Sequence, residues 1–353
     1  MSATIDVGPP MQQPPVSVRR NVPIKWWAAA GLFQVALAAY CIVAWAAAGQ
    51  MTPTDPGPDA MPGWKTACMW ILSVGGILAT GYCFWRFLLK PWRQERQLTN
   101  DGMLLIGCVA MAVPHDIMLA YTSPSFSYNS HYLNAGSWMG QVPGVQTPNA
   151  NLMPEPLVLV LPGYGWACFV WVLLGCWVMQ QIRLHRPGTT TAGLLGVTLA
   201  FFFVLDLAFE AILVHIDTYA YTGTIHRLTL LSGSDNQLPL YEVLFWAVFL
   251  TGMTSLRFFR DDRGNTFVER GVERLPLSKR KERAVRQLAL VGAGSAAITV
   301  FYNMPWALIS SHNNSFPQDL PSYFVNGVCS PDPANATAEV PPCPNKLAAT
   351  YRR

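Results

Sequence analysis

The chain is poor in charged residues. Only 12% of its 353 residues are Asp, Glu, Lys or Arg and 51% are hydrophobic, whereas a soluble domain carries about 25% charged residues. This scarcity excludes a soluble globular protein of this size. The net charge of +4 comes mostly from one basic loop, so it indicates contact with anionic lipid and does not indicate nucleic-acid binding.

Several motifs are also missing. None of the six histidines has another histidine three or four residues away, which excludes the histidine clusters of a membrane di-iron site. The last apolar run holds no lysine for a retinal Schiff base, and no G-x-S-x-G segment marks a serine nucleophile. The sequence also has no internal repeat, a feature that would indicate a transporter. We expect no cofactor and no metal site, although carboxylates with His115 or His131 leave a mixed site open.

What the sequence does contain is seven apolar runs, each close to the roughly 20 residues of a membrane-spanning helix. They predict an all-α, polytopic integral membrane protein whose bundle of about seven helices occupies residues 26–310, after a disordered Pro-rich leader (1–25) and before a tail (311–353). The oligomeric state stays open. The runs cover residues 26–48, 66–89, 102–122, 157–182, 191–215, 239–258 and 287–310.

The positions of Lys and Arg predict the orientation, because basic loops stay in the cytoplasm. The leader and the second, fourth and sixth loops hold most of the 24 basic residues. We therefore expect a multi-pass protein of the plasma membrane with a cytoplasmic N-terminus and an external C-terminus. The sixth loop, residues 257–286, is expected to be solvated. The side predicted to be external holds only Lys65, Arg227, Lys346, Arg352 and Arg353.

The fifth run contains two carboxylates, Asp206 and Glu210. Four residues apart in a helix, they lie on one face, and Asp217 would continue that face at the membrane surface. A carboxylate at bilayer depth costs about 2.5–3.5 kcal/mol on insertion scales, so intramembrane acids usually serve a function. The pair is therefore the first candidate site.

Other polar residues occur at a similar depth in other runs. Pro114-His115-Asp116 lies in the third run, Glu242 begins the sixth, and Asn303 precedes Pro305 in the seventh. The alternating topology places all of them in the outer half of the membrane, which favours a common site. The alternative is structural: a proline frees backbone groups that nearby polar side chains satisfy, and Glu242 also suits a helix start.

The external loop after the third run is long, has no Lys or Arg, and is rich in Asn, Ser, Tyr and Trp. Loops of this length in compact proteins are often lids or binding loops, although a solvated loop anchored by aromatic residues is the alternative. The predicted substrate-binding residues in this loop and at nearby helix ends are Asn129, His131, Tyr132, Trp138, Tyr241 and Asn303.

Two neighbouring carboxyls in an apolar environment do not both ionise readily, so one holds a proton while the other is an anion. A general acid beside an anion suits a carbocation or oxocarbenium intermediate, which aromatic faces also stabilise. The residues thus predict proton chemistry on an apolar, lipid-like substrate. The alternative is a transporter or binding protein for a lipid or small apolar molecule, with the same acids coupling protons.

Several short segments resemble the AveC-like spirocyclase family of actinobacterial membrane proteins, over roughly residues 100–310. The resemblance implies a cyclase of polyketide secondary metabolism, which protonates a dihydroxy-ketone, releases water and lets the second hydroxyl capture the oxocarbenium ion, or a related dehydratase. It implies no redox cofactor. The segments are Pro114-His115-Asp116, Tyr128-Asn129 with Gly136-Ser137-Trp138, Pro154-Glu155-Pro156, Pro239-Leu240-Tyr241-Glu242 and Phe258-Phe259-Arg260-Asp261-Asp262-Arg263-Gly264.

The roles assigned to individual acids come from the residues alone. We expect Glu210 to be the general acid and Asp206 its partner that stabilises the cation. Asp116 with His115 would relay protons, and Glu242 would be a second acid or base.

A disulfide is predicted in the tail. Cys329 and Cys343 are the only cysteines outside the apolar runs, and the topology places both on the oxidising side of the membrane. We expect them to form one bridge.

Overall fold

The computed structural model describes residues 22–317, 319–330, 334 and 336–342. Within these residues, a helix lies at each of the seven predicted apolar runs. We name them α1 Pro23–Ala47, α2 Gly63–Glu95, α3 Asn100–Ala110 with Ala112–Ala120, α4 Leu157–His185, α5 Thr191–His215, α6 Leu240–Phe258 and α7 Lys279–Ser310.

Five of these helices, α1, α2, α4, α5 and α7, are long and apolar enough to cross a membrane, and α3 is a sixth if its two halves form one span. The structure therefore fits a membrane protein. Helix α6, which has 19 residues and carries Glu242 and Arg257, is not in this set. Seven spans and the orientation of the termini stay predictions.

The helices pack in pairs, α1 along α7, α5 against α6, and α4 against both α2 and α6. Small residues bring α1 and α7 together. A Cβ atom on Gly31 would overlap the Leu288 carbonyl oxygen, and one on Gly292 would overlap that of Trp27. The two backbones are thus in direct contact, an arrangement that glycine permits in membrane helix pairs.

Three helices are irregular at one end of the bundle. Helix α3 bends by 50° at Val113, whose extended conformation is the one favoured before a proline. Helix α4 contains Pro162 and a π-helical segment, Tyr164–Cys168. Helix α7 contains a second π segment, Thr299–Asn303. Such π segments are frequent at functional sites, and these irregularities lie beside the cavity described below.

The loops at this end, residues 121–156 and 216–239, form an ordered cap. Short antiparallel strands join them: β1 Ser127–Tyr128 pairs with β4 Tyr219–Ala220, β2 Ala135–Gly136 with β3 Pro154–Glu155, and β5 Thr229–Leu230 with β6 Leu238–Pro239. The β1–β4 pair places Tyr128 directly opposite Tyr219. The long loop is therefore a folded layer over the bundle.

The tail packs on the cap. A short helix α8, Ser322–Val325, buries Tyr323 and Phe324 against Ala220. Cys329 is disulfide-bonded. Its predicted partner, Cys343, lies outside the described residues, so the pairing stays a prediction.

The segment between α6 and α7 corrects an expectation. The sequence predicts a solvated loop, but Val268, Glu269 and Val272 are buried. Glu269 accepts a hydrogen bond from Arg286 at 2.7 Å, and α7 already begins at Lys279. Glu269 and Arg286 therefore serve packing, because a buried carboxylate needs a paired cation, whereas Arg270, Lys279 and Lys281 are exposed.

Candidate active site

A cavity of about 160 Å³ lies between the helices beneath the cap, and four of the predicted acids line it. Asp116 comes from α3, Asp206 and Glu210 from α5, and Glu242 from α6. All four are at least nine-tenths buried. The structure thus brings acids from three separate helices to one cavity.

The two acids of α5 differ in their hydrogen bonds. Glu210 accepts one from the Tyr219 hydroxyl at 2.5 Å on Oε1 and one from the Tyr221 hydroxyl at 2.7 Å on Oε2. Asp206 is 1% exposed, and its Oδ2 has no hydrogen-bond partner among the described residues. Glu210 is thus held on both oxygens, whereas Asp206 has a buried oxygen without a partner, which is uncommon for a buried polar group.

Glu242 completes a three-acid cluster with Asp206 and Glu210. Its Oε1 accepts a hydrogen bond from the Tyr302 hydroxyl at 2.6 Å, and its buried Oε2 finds no partner in the described part of the chain. Asp206 lies close enough to the other two acids to interact with them electrostatically. Two carboxyl oxygens in this cluster are therefore buried without a hydrogen-bond partner among the described residues.

Asp116, at the same cavity, has a second acid beside it, Glu155, which does not line the cavity. Asp116 accepts a hydrogen bond from the Tyr128 hydroxyl at 2.9 Å. Glu155, carried by β3, is fully buried and accepts one from Ser137 at 3.2 Å. Burial, and next the negative charge of Asp116, raise the pKa of Glu155 well above its ordinary value. The sequence predicts no individual role for Glu155, whose position just before α4 also suits an ordinary helix start.

Tyrosines supply the hydrogen-bond donors of the site, and sequence reasoning assigns them no such role. Phe126 packs against the rings of Tyr128, Tyr219 and Tyr221 with centroids 4.9, 5.1 and 5.6 Å away. Burial raises the pKa of all three tyrosines well above the usual tyrosine range. Their hydroxyls therefore stay protonated and can donate to the acids.

His115 does not take the predicted position beside Asp116 in a proton relay. Its Nδ1 accepts from the Asn303 side-chain amide at 3.2 Å, and its Nε2 lies 3.1 Å from Gln34 Oε1. With Nδ1 accepting, Nε2 carries the proton and donates to Gln34. No hydrogen bond joins the His115 and Asp116 side chains in the described structure, since consecutive residues of a helical turn point in different directions. His115 and Asn303 instead connect α1, α3 and α7.

The predicted substrate-binding residues of the loop do not line the cavity. Asn129 donates to the Asp217 backbone carbonyl at 2.8 Å, and the ring of His131 reaches the Asp59 carbonyl at 3.3 Å. Both residues stabilise turns of the cap.

Tyr132, Trp138 and Tyr241 also contribute to packing. Tyr132 donates to Thr218 at 3.3 Å, Trp138 packs edge-on against Trp45, and Tyr241 packs on Trp306. Of the predicted lid, Phe126 and Tyr128 line the cavity. The expectation of substrate contact by the others is not matched because the loop folds into a layer whose polar side chains satisfy its own backbone.

Asp217 is likewise not on the face of α5. The helix ends at His215, and Asp217 adopts a left-handed conformation with φ +57°. It forms an ion pair with Lys65 at 2.7 Å and accepts a hydrogen bond from Tyr323 at 2.7 Å. The chain reverses here, which returns Tyr219 and Tyr221 to Glu210.

Among the described residues, no group of three or more His, Cys, Asp or Glu side chains is arranged to hold a metal ion. The rest of the lining is mostly apolar and includes the aromatic rings of Trp171, Phe209 and Trp246. The site combines hydrogen-bonded acids, acids with free oxygens and ring faces, which suits proton transfer and a cationic intermediate.

A protein-family model described as "Spirocyclase AveC-like" matches residues 95–325. The matched region contains both groups of acids, the cap strands and the irregular segments of α3, α4 and α7. No curated protein and no solved structure matches the chain.

Proposed function

Because this chain belongs to the AveC-like spirocyclase family, we propose that it is a membrane-embedded cyclase that closes a spiroketal in the cavity beneath its cap. The substrate is a polyketide-like dihydroxy-ketone, which cyclises through its hemiketal. The plasma membrane is the proposed location. The observation that carries this proposal is the three-acid cluster, in which one carboxyl group is held by two tyrosines and the other two keep free buried oxygens.

The cluster supports different roles for its acids from those expected from sequence. Two tyrosine donors on Glu210 suit a carboxylate, since an ionised carboxyl group offers only acceptors. We therefore assign Glu210 as the anion that stabilises the cation and Asp206, with its free Oδ2, as the general acid. Three carboxylates so close together in apolar surroundings would repel one another strongly, which favours a proton on one of them.

The proposed reaction converts the hemiketal into the spiroketal with loss of one water molecule. Asp206 donates a proton to the hemiketal hydroxyl, the C–O bond breaks, and water leaves. The oxocarbenium ion forms beside the Glu210 carboxylate and the aromatic wall. The second hydroxyl attacks the cationic carbon, and its proton passes to Glu242 or back to Asp206. The reaction involves no oxidation or reduction, and the products are the spiroketal and water.

The second acid pair supports a contact with the rest of the substrate. Asp116 lines the cavity with the Tyr128 hydroxyl bound to it, and Glu155 lies behind it, where burial raises its pKa. Asp116 and Tyr128 are proposed to contact the distal oxygens of a dihydroxy-ketone, with Glu155 supporting Asp116. This pair is proposed to orient the substrate rather than to transfer the proton.

Turnover in detergent tests the proposal. Purified protein is incubated with a synthetic dihydroxy-ketone, and the ketal diastereomers are measured by chromatography and mass spectrometry. We expect one diastereomer in excess over the mixture formed without protein, with no ion gradient present. Absence of product, together with gradient-dependent accumulation of the same compound in proteoliposomes, would support a transporter instead.

A further inference from the structure

The residues that line the cavity fall into two groups, a buried group and a partly exposed group. Every acid and tyrosine that lines it is buried, whereas the lining residues that are partly exposed are all apolar. Apart from Trp246 of α6, the partly exposed residues come from α2, α4 and α5. They are Leu72, Leu159, Gly163, Trp166, Ala167 and Phe209.

These six residues form a mouth on the side of the bundle. At 1.5 Å per residue, they lie about 3–15 Å from the capped ends of their helices, with Leu72, Trp166 and Ala167 the deeper ones. The hydrocarbon layer of a bilayer is about 30 Å thick, so the deeper part of the mouth opens at acyl-chain depth. The helix surfaces around it are apolar as well, since Ile71 is 70% and Ile212 is 57% exposed.

The capped end, in contrast, is closed. Phe126, Thr218 and Tyr221 line the cavity there, and none is more than 4% exposed. The tyrosine hydroxyls of this wall are engaged by the acids. A molecule dissolved in water would have to displace the cap, whereas one dissolved among acyl chains meets an apolar opening.

Two aromatic rings border this opening. Trp166 belongs to the π segment of α4, and Phe209 of α5 packs edge-on against it with centroids 6.2 Å apart. Phe209 also packs on Trp171 inside the cavity, at 5.1 Å. The irregular turn of α4 thus places Trp166 at the mouth and Tyr164, two residues earlier in the chain, in the buried wall.

We infer that the cavity is filled sideways from the bilayer, through the mouth between α2, α4 and α5 that Trp166 and Phe209 border. The molecule admitted is membrane-dissolved and largely apolar, with oxygen groups that reach the buried acids. This inference rests on the proposed function in that the admitted molecule is the cyclase substrate. The route itself is a property of the fold and can be tested without turnover.

Two glycines provide a matched pair of variants. A Cβ atom on Gly163, at the mouth, or on Gly196, on the exposed surface of α5 away from the cavity, would have no atom within 4 Å. Gly163→Trp should therefore fill the mouth without a backbone clash. Gly196→Trp adds the same ring to a lipid-facing surface and leaves the mouth open.

The experiment uses the full chain in lipid vesicles and two photolabels, an apolar trifluoromethyl-phenyl-diazirine and a charged, membrane-impermeant diazirine. Labelling of the peptide that carries Tyr219 and Tyr221 is measured by mass spectrometry. We expect the apolar label to reach this peptide in the wild type and in Gly196→Trp, and to be lost in Gly163→Trp. Labelling by the charged probe alone, or unchanged apolar labelling in Gly163→Trp, would overturn the inference.

Phe209→Ala supplies a second test if Gly163→Trp fails to fold, because it widens the mouth and should increase apolar labelling. Unchanged labelling in this variant would also count against a side entrance. Protein that takes up the apolar label through the mouth but forms no ketal would retain this inference and overturn the cyclase proposal. Ketal formation with labelling only by the charged probe would support the cyclase proposal and overturn the side entrance.

Discussion

The hydroxyl of Tyr219 donates to Glu210 at 2.5 Å, although Glu210 lies within α5 and Tyr219 lies beyond the end of that helix. The turn at Asp217 reverses the chain, and β1–β4 pairing fixes Tyr219 opposite Tyr128. The carboxyl group is thereby held by residues of the cap. The two acids of α5 therefore have different surroundings, and we expect them to have different roles.

Asp206→Asn and Glu210→Gln should differ when the leaving group of the substrate changes. With a hemiketal, we expect Asp206→Asn to lower kcat by about 10²–10⁴, the usual value of general acid help. A ketal with a phenolate leaving group needs little protonation, so it should restore much of the activity of Asp206→Asn. Glu210→Gln should stay slow with both substrates, because the missing anion stabilises the cation in either reaction.

Rates with the two substrates are measured on purified variants whose folding is checked by circular dichroism. Rescue of Glu210→Gln by the phenolate substrate, with no rescue of Asp206→Asn, would return the general acid role to Glu210, as predicted from sequence alone.

Glu155→Gln should change how stability depends on pH. The pKa of Glu155 is raised in the folded protein, whereas an unfolded glutamate has a pKa of about 4.3. The folded state therefore holds the proton more tightly, and this contribution is present below about pH 4 and is lost as pH rises towards the folded pKa. The glutamine side chain of the variant has no proton to lose and can still accept from Ser137.

Thermal unfolding midpoints in detergent across a pH series check this prediction. We expect the two proteins to be similar in acid, with the Glu155→Gln variant increasingly the more stable at higher pH. A difference that is constant with pH would mean that the carboxyl group does not titrate in the way its burial implies.

His115→Leu should reduce stability more than catalysis. The substitution leaves the amides of Gln34 and Asn303 without their shared partner, and a buried polar group without a partner costs about 1–3 kcal/mol. His115 is outside the cavity lining, so kcat per folded molecule should change little. The unfolding midpoint in denaturant is measured for both proteins, and kcat is calculated per folded molecule. A normal midpoint with a large fall in kcat would restore the relay role predicted from sequence.

Features that depend on local geometry can be predicted from the sequence. The spacing of Asp206 and Glu210 places both on one helix face, and the apolar runs coincide with helices, because both depend on residues that are near in sequence. The pairing of Asp116 with Glu155 and of Glu242 with Tyr302 depends on how distant helices pack. The prediction for Asp217 is wrong for a related reason, since the end of α5 at His215 carries no proline or glycine to mark it.

The lid residues show the same limit. Asn129, His131 and Tyr132 have the composition of a binding loop, but their hydrogen bonds go to the cap and loop backbone and to Thr218. The polar side chains are needed because an ordered loop must satisfy its own backbone groups. Composition alone does not distinguish that use from contact with a substrate.

Lys65→Met should weaken the turn that directs the tyrosines to Glu210. Lys65 pairs with Asp217 at 2.7 Å, and their side chains are only 15% and 8% exposed. Loss of the cation leaves Asp217 with the Tyr323 hydroxyl as its side-chain partner. Breaking a fully buried pair costs about 3–5 kcal/mol, and the partial exposure of Lys65 should reduce that cost. Catalysis should fall as well, because Asp217 is two residues from Tyr219.

A double-mutant cycle separates the pair from the rest of the turn. Lys65→Met, Asp217→Asn and the double variant are compared by unfolding free energy and by kcat. We expect the double variant to be more stable than the sum of the single effects implies, since neither charge is then left unpaired. Additive effects would show that Lys65 and Asp217 are not coupled. A loss of stability in Lys65→Met with unchanged kcat would show that the cap tyrosines reach Glu210 without this ion pair.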